Sequence, residues 1–194
     1  MNTPSHLLMT AAIRKAAPTW QMPRSAVLIG AVAPDVPLTL VSLGGFMFFR
    51  YVQGMPAREV FEHMYGTLYF NDPGWMASHN LLHAPFMILF GLLACRLWYG
   101  GEAVRSGWWT WFFLSCSLHC VVDIFTHFDD GPLLLFPFEW SVRFPSPVSY
   151  WDVAHYGAPF FAFEVMFDSV LLIYLVAPKI VGRMRERRAE REAV

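Results

Sequence analysis

The chain has 194 residues, of which 56% are hydrophobic, 17% aromatic and only 15% charged. With a mean hydropathy of +0.39, this excludes an ordinary water-soluble domain and predicts an all-α, integral membrane helical bundle. The formal net charge of −1 comes from segregated charges with no broad basic face, so direct nucleic-acid binding is not expected.

Residues Thr3 to Ala17 predict a short N-terminal amphipathic helix, with Thr3 or Ser5 near its cap and Pro4 in its first turn. Four apolar runs follow, each long enough for a bilayer core of ~30 Å at ~1.5 Å per residue. The first, Ala26 to Phe49, is interrupted by Ala33-Pro34-Asp35-Val36-Pro37, which implies a kinked or broken span. Arg50 to Ala77 reads as a polar connection at the membrane interface. Ser78 to Tyr99 is the second span, Gly100 to Gly107 a turn, and Trp108 to His127 the third span. Phe128 to Pro159 is a long acidic and aromatic loop, and Phe160 to Val181 the fourth span. Residues 1–182 thus form one membrane-embedded domain, and 183–194 an arginine-rich tail. Cys95, Cys116 and Cys120 all fall in apolar runs with no Cys-x-x-Cys motif, which favours small buried hydrophobes over a thiolate site or disulfide framework.

Basic residues orient the spans. Arg14, Lys15 and Arg24 before the first span, Arg96 and Arg105 around the turn, and the arginine tail are expected on one cytoplasmic side. Both chain ends are then expected in the cytoplasm, and the two long connections on the other side. In this arrangement His79 and His83 open the second span and His119, Asp123 and His127 close the third. Glu164 and Asp168 begin the fourth. All come to similar depth, with Asp35 nearer the middle.

Ionisable groups inside apolar helices are costly and mark functional sites by default. His119, Asp123 and His127 are spaced four apart, which predicts one polar stripe on a helix face. Imidazoles with carboxylates suit zinc or another divalent transition metal. His119 and His127 lie ~12 Å apart along a helix axis, long for one ion. Either two ions share Asp123, or one ion is held and the outer histidine supports it. Asp123, Glu164 or Asp35 is the candidate to orient or deprotonate an attacking water. Asp35 has a structural alternative as a cap for the half-helix after Pro34.

The ordered set Thr3-Pro4-Ser5-His6, Gly30-Ala31-Val32-Ala33-Pro34-Asp35, Ser78-His79 to His83, and His119-x-x-x-Asp123 with Thr126-His127 resembles the YdjM-like family. That family groups membrane-bound, metal-dependent hydrolases described as inner-membrane and LexA-binding. The His-x-x-x-Asp element is also similar to that of zinc-dependent phospholipase C. The resemblance implies His6, Asp35, His79, His83, His119, Asp123 and His127 as metal ligands and a bacterial-type inner-membrane location. In place of an expected Arg-Gly-x-Thr-type stretch before Ser78 stands Asn71-Asp72-Pro73-Gly74-Trp75-Met76-Ala77. Two functions follow as expectations. One is a membrane-bound metal-dependent hydrolase of an ester or phosphoester, its substrate a lipid. The alternative is a non-catalytic subunit of a membrane complex that keeps the hydrolase-like fold and docks on a membrane-protein partner.

Overall fold

A computed structural model describes residues 1–100 and 107–192. The described residues are helical and loop, without strands, as the all-α expectation requires. Arg105 of the basic turn and the last two residues of the tail lie outside the described residues.

Helix α1 (Thr3–Ala16) is followed by α2 (Arg24–Val32) and α3 (Asp35–Met47), the last running on through a π-helical turn over Phe48–Val52. The α2–α3 pair bends by 44°. Prolines cause the bend. Pro34 has no N–H to give to the Gly30 carbonyl four residues back, and Pro37 has none for Ala33. Both carbonyls find other donors, Cys116 Sγ at 3.4 Å from Gly30 O and Val36 N at 3.3 Å from Ala33 O.

The connection after α3 is largely helical. Helix α4 (Ala57–His63), a π turn over Met64–Leu68, α5 (Tyr69–Asn71) and α6 (Pro73–Asn80) form an arm folded back onto α3. Its apolar positions Val60 and Met64 lie four apart and pack with Trp75 against Leu38 and Val41. That i, i+4 pair outweighs the scattered polar residues that suggested a loop. Asp72 caps α6, accepting from Gly74 N at 2.9 Å and Trp75 N at 3.0 Å, with Pro73 at the first helical position. The second span is broken too. Ala84 is extended before Pro85, as the residue before a proline prefers, and α6 meets α7 (Pro85–Tyr99) at 51°.

Helix α8 (Trp108–Thr126) is the centre of the bundle, and α9 (Gly157–Glu192) runs on through the arginine tail as one helix. By length and composition α8 and α9 each qualify as membrane spans, and the two bent pairs bring the number to four if each counts as one. Helices α2 and α8 run parallel. Ser115 Oγ donates to Val27 O at 2.7 Å, and His119 Nδ1 lies 2.8 Å from Ala31 O. Their close approach depends on Gly30, where a Cβ would fall 2.4 Å from the Phe112 carbonyl oxygen. Small residues at such contacts let helices pack where lipid gives no hydrophobic drive. Helix α7 returns antiparallel to α8, with Gly91 against Phe113 and Tyr99 against Gly107.

Helix α1 is part of the bundle. It packs on α2 and α9 and buries Ser5, His6 and Thr10. Its first turn meets the end of α8 through Asp123. Its last turn holds Arg14 and Lys15; Arg14 Nε donates to Met22 O at 3.1 Å, and Lys15 Nζ bonds the Tyr174 carbonyl. The bundle therefore has a basic end, with Arg14, Lys15 and Arg24, and an opposite end where His6, Asp35, His83, His119 and Asp123 gather.

Candidate metal centre

Two helices and the break between two others bring Asp35, His83, His119 and Asp123 together, with one ligand atom from each lying within 4.8 Å of all the others. Asp35 opens α3 at the proline bend. His83 sits in the break between α6 and α7, and His119 and Asp123 share a face of α8. His119 Nε2 is 3.0 Å from Asp123 Oδ2 and 3.5 Å from Asp35 Oδ1. His83 Nε2 is 3.4 Å from each of the same two oxygens. The two Nε2 atoms are 3.1 Å apart. All but Asp35 are buried, and 28% of its side chain is accessible.

Backbone carbonyls orient both imidazoles. His83 Nδ1 faces His79 O and His119 Nδ1 faces Ala31 O, each at 2.8 Å. Each Nδ1 is therefore the N–H, and in the neutral ring Nε2 presents its lone pair to the centre. Two such lone pairs and two carboxylate oxygens are four acceptors with no donor among them. A cation satisfies that arrangement, and two imidazoles with two carboxylates are a donor set for zinc-like divalent ions.

The other predicted residues fall around this group. His6 stacks on the His119 ring at 3.6 Å, its Nε2 2.9 Å from Asp123 Oδ1. Asp123 Oδ1 also accepts from the Met1 ammonium at 2.9 Å. Asp123 thus turns one oxygen to His83 and His119 and the other to His6. His127 lies beside Asp123, its Nδ1 3.9 Å from Asp123 Oδ1, just past the end of the helix. Helix α8 ends at Thr126, His127 is extended, and its Nδ1 takes the Asp123 carbonyl at 3.0 Å. A helix end leaves carbonyls unpaired, and this side chain fills one of them. His79 is stacked on His83 at 4.5 Å with neither ring nitrogen bonded. His6, His79 and His127 are therefore neighbours of the four-residue group without belonging to it.

Glu164 is not among the converging acceptors. It accepts from Asn2 N at 2.7 Å, Asn2 Nδ2 at 2.6 Å and Ser5 Oγ at 2.8 Å, so it fastens the first turn of α1 to α9. Asp168 also contacts Ser5 Oγ, at 2.7 Å. Thr3 Oγ1 bonds Asp35 Oδ2. Sequence reasoning missed Asn80, which is fully buried and joins the arm to the long loop by accepting from Leu133 N at 2.6 Å. The signal was an asparagine between two singled-out histidines in an apolar run. Tyr69 is a second scaffold residue of this kind, its hydroxyl donating to Asp130 O at 2.6 Å.

In front of the group lies a cavity of about 760 Å³, lined by His79, His83, Asp123 and His127 at one end and by Tyr65, Tyr69, Tyr150 and Trp151 among its walls. Burial pushes the Tyr150 hydroxyl above its ordinary range, which leaves it a neutral hydrogen-bonding group. The π turn at Met64–Leu68 contributes Tyr65 and Gly66 to the wall. Such turns recur at functional sites in helices.

A family model described as YdjM inner membrane protein matches residues 1–188. Comparisons with curated proteins and with solved structures gave no match.

Proposed function

Because the chain belongs to the YdjM inner membrane protein family, and because four acceptors converge on one point in it, we propose that it is a membrane-bound metal-dependent hydrolase of an ester or phosphoester, with a lipid as its substrate. The observation that carries this reading is the pair of facing Nε2 atoms with two carboxylates around them. A divalent cation in this donor set supplies Lewis acidity, polarising an ester or phosphoester oxygen and making water a nucleophile near neutral pH. Asp35, His83, His119 and Asp123 hold it, and zinc is the ion their chemistry suits. The second oxygen of Asp123 is taken by His6 and the Met1 ammonium, so a second ion there would have to displace the ammonium.

This chain's own groups divide the remaining tasks. Asp35 is the carboxylate of the group that cavity water can reach, so it orients that water or accepts its proton. Asp123, buried at the centre, holds both sets of imidazoles in register. Glu164 positions α1, and with it His6 and Thr3. The aromatic walls and the long loop screen the reacting oxygen from bulk water, which strengthens every charge interaction inside. The basic end of the bundle is the cytoplasmic end, so the cavity faces the other side and the first turn of α1 lies at the depth of the site.

The test is metal analysis of the purified protein beside His119→Ala and Asp123→Ala, with a phosphoesterase assay on the same samples. Wild type is expected to hold one or two zinc equivalents and both variants less. A carefully prepared wild type free of metal sinks the mechanism. One observation favours the rival reading of a non-catalytic subunit. The long loop exposes Phe138, Val153 and Tyr156 at 70%, 80% and 65%, an apolar surface suited to a membrane-protein partner. A stable co-purifying complex, with no metal-dependent hydrolysis, supports that reading instead.

A further inference from the structure

The cavity is unevenly charged. Asp129 and Asp130 stand on its lining, and among the lining residues there is no lysine or arginine. The Met1 ammonium is the cation on the wall, and it is already engaged by Asp123 Oδ1 at 2.9 Å and Thr126 Oγ1 at 2.7 Å. Glu62 is paired with Arg58 at 3.0 Å. Arg143 lies close by and shares the field of Asp129 and Asp130, while its direct contacts are made elsewhere. Its guanidinium sits 5.6 Å and 5.5 Å from the Tyr69 and Phe70 ring centres, and its Nη1 donates to Gly131 O at 2.8 Å. Trp151 Nε1 donates to Asp130 Oδ2 at 2.8 Å, which fixes the indole at the mouth. The other oxygen, Asp130 Oδ1, is buried without a partner.

A second observation points to a ligand here. His79 lies on the cavity wall, 6% exposed, and neither of its nitrogens has a partner. A polar ring that deep is expected to be hydrogen-bonded. The cavity volume of about 760 Å³ suits a ligand of lipid-headgroup size with the start of its chains. Once a doubly charged ion balances Asp35 and Asp123, the Met1 ammonium and Arg143 offset part of the charge of Asp129 and Asp130, and the buried, unpartnered Asp130 Oδ1 is the acceptor left for a cation. The ring faces of Tyr65 and Trp151 add the negative side of their quadrupoles. An anionic headgroup meets a field of its own sign there, whereas an ammonium group finds both a carboxylate and aromatic faces.

Building on the hydrolase reading of the site, we propose that this cavity binds an amphiphile whose headgroup carries a positive charge. Its ammonium group sits by Asp130 and Trp151 while its ester or phosphoester faces the four-residue group. The experiment uses the full-length, zinc-loaded protein in detergent. Two short-chain phospholipids of equal chain length, one with a choline and one with a glycerol headgroup, are titrated by calorimetry, with metal content and turnover measured on the same samples. The choline lipid is expected to bind about tenfold more tightly, the size of one desolvated cation–π contact with a charge partner. Asp130→Asn, and separately Trp151→Ala at its exposed position, should each remove most of that preference without changing the metal content. Equal or tighter binding of the glycerol lipid, or a preference that survives both substitutions, overturns the proposal. Selective binding without turnover of either lipid removes the hydrolase reading and leaves this one, whereas equal binding and turnover of both does the reverse.

Discussion

Replacing Gly30 with alanine should damage the metal centre without touching a ligand. The added Cβ would lie 2.4 Å from Phe112 O and 2.9 Å from Ser115 Cβ, both on α8. Ordinary contact begins near 3.4 Å, so α2 and α8 must separate by about 1 Å at this level. The next residue, Ala31, holds His119 Nδ1 on its carbonyl at 2.8 Å. A shift of that size stretches the bond to nearly 4 Å, outside hydrogen-bonding range. Losing the group that orients a ligating imidazole costs about 10–100-fold in metal affinity. The overpacking itself costs about 1–3 kcal/mol of stability. Zinc affinity is read by competition with a chromogenic chelator, and stability by unfolding in the same detergent. Gly44→Ala is the control, since a Cβ there meets nothing within 4 Å. It should bind zinc as wild type does and gain a little helix stability, up to about 1 kcal/mol. If Gly30→Ala binds zinc with wild-type affinity while folded, the Ala31 carbonyl does not set the orientation of His119, and the argument fails.

Glu164→Gln should loosen α1, because two of the three donors now on the carboxylate come from Asn2. A loss of about 1–3 kcal/mol in unfolding stability is expected, with zinc still held by the four-residue group. Unchanged stability together with abolished hydrolysis would instead make Glu164 a catalytic residue. On the long loop, His155 beside Asp152 holds the Asp152 carboxyl below the ordinary carboxylate range, helped by the Ala154 N–H. A pKa lowered in the folded state gives stability that is present above about pH 4 and is lost as pH falls through the lowered value. Asp152→Asn should therefore flatten the acid side of the stability profile below about pH 4 and leave its neutral side nearly level. A profile unchanged by the substitution would mean that the Asp152–His155 contact does not form in solution.

The site was legible where chemistry sits on regular helix. His119 and Asp123 are four apart on α8, and their spacing alone put them on one face. Asp35 was legible as an ionisable residue in an apolar run, but its arrival at the depth of His119 depends on a 44° bend that two prolines allow and no spacing rule measures. His127 keeps its place beside Asp123, but the helix stops one residue before it, because a helix end is set by capping, here by the histidine's own side chain on the Asp123 carbonyl. The polar arm between α3 and α7 was taken for linker because its buried apolar face is narrow, in effect Val60 and Met64 with Trp75. The role of Glu164 was invisible in the sequence, since its partners Asn2 and Ser5 lie some 160 positions away.

The dependence of His119 on Ala31 also has a consequence in time. The two residues are separated by 88 positions, so at about 5–20 residues per second the ribosome delivers His119 roughly 4–18 s after Ala31. Asp35 is joined by His83 within that interval, but His119 and Asp123 have yet to be made, so the four-residue group stays incomplete until its end. A carboxylate alone in a membrane segment is costly, which favours holding the first span at the insertion machinery until the third has been made. On the proposed function, metal capture would then be a late step of biogenesis. A chain truncated after the second span should behave as an insertion-arrested intermediate and hold no zinc.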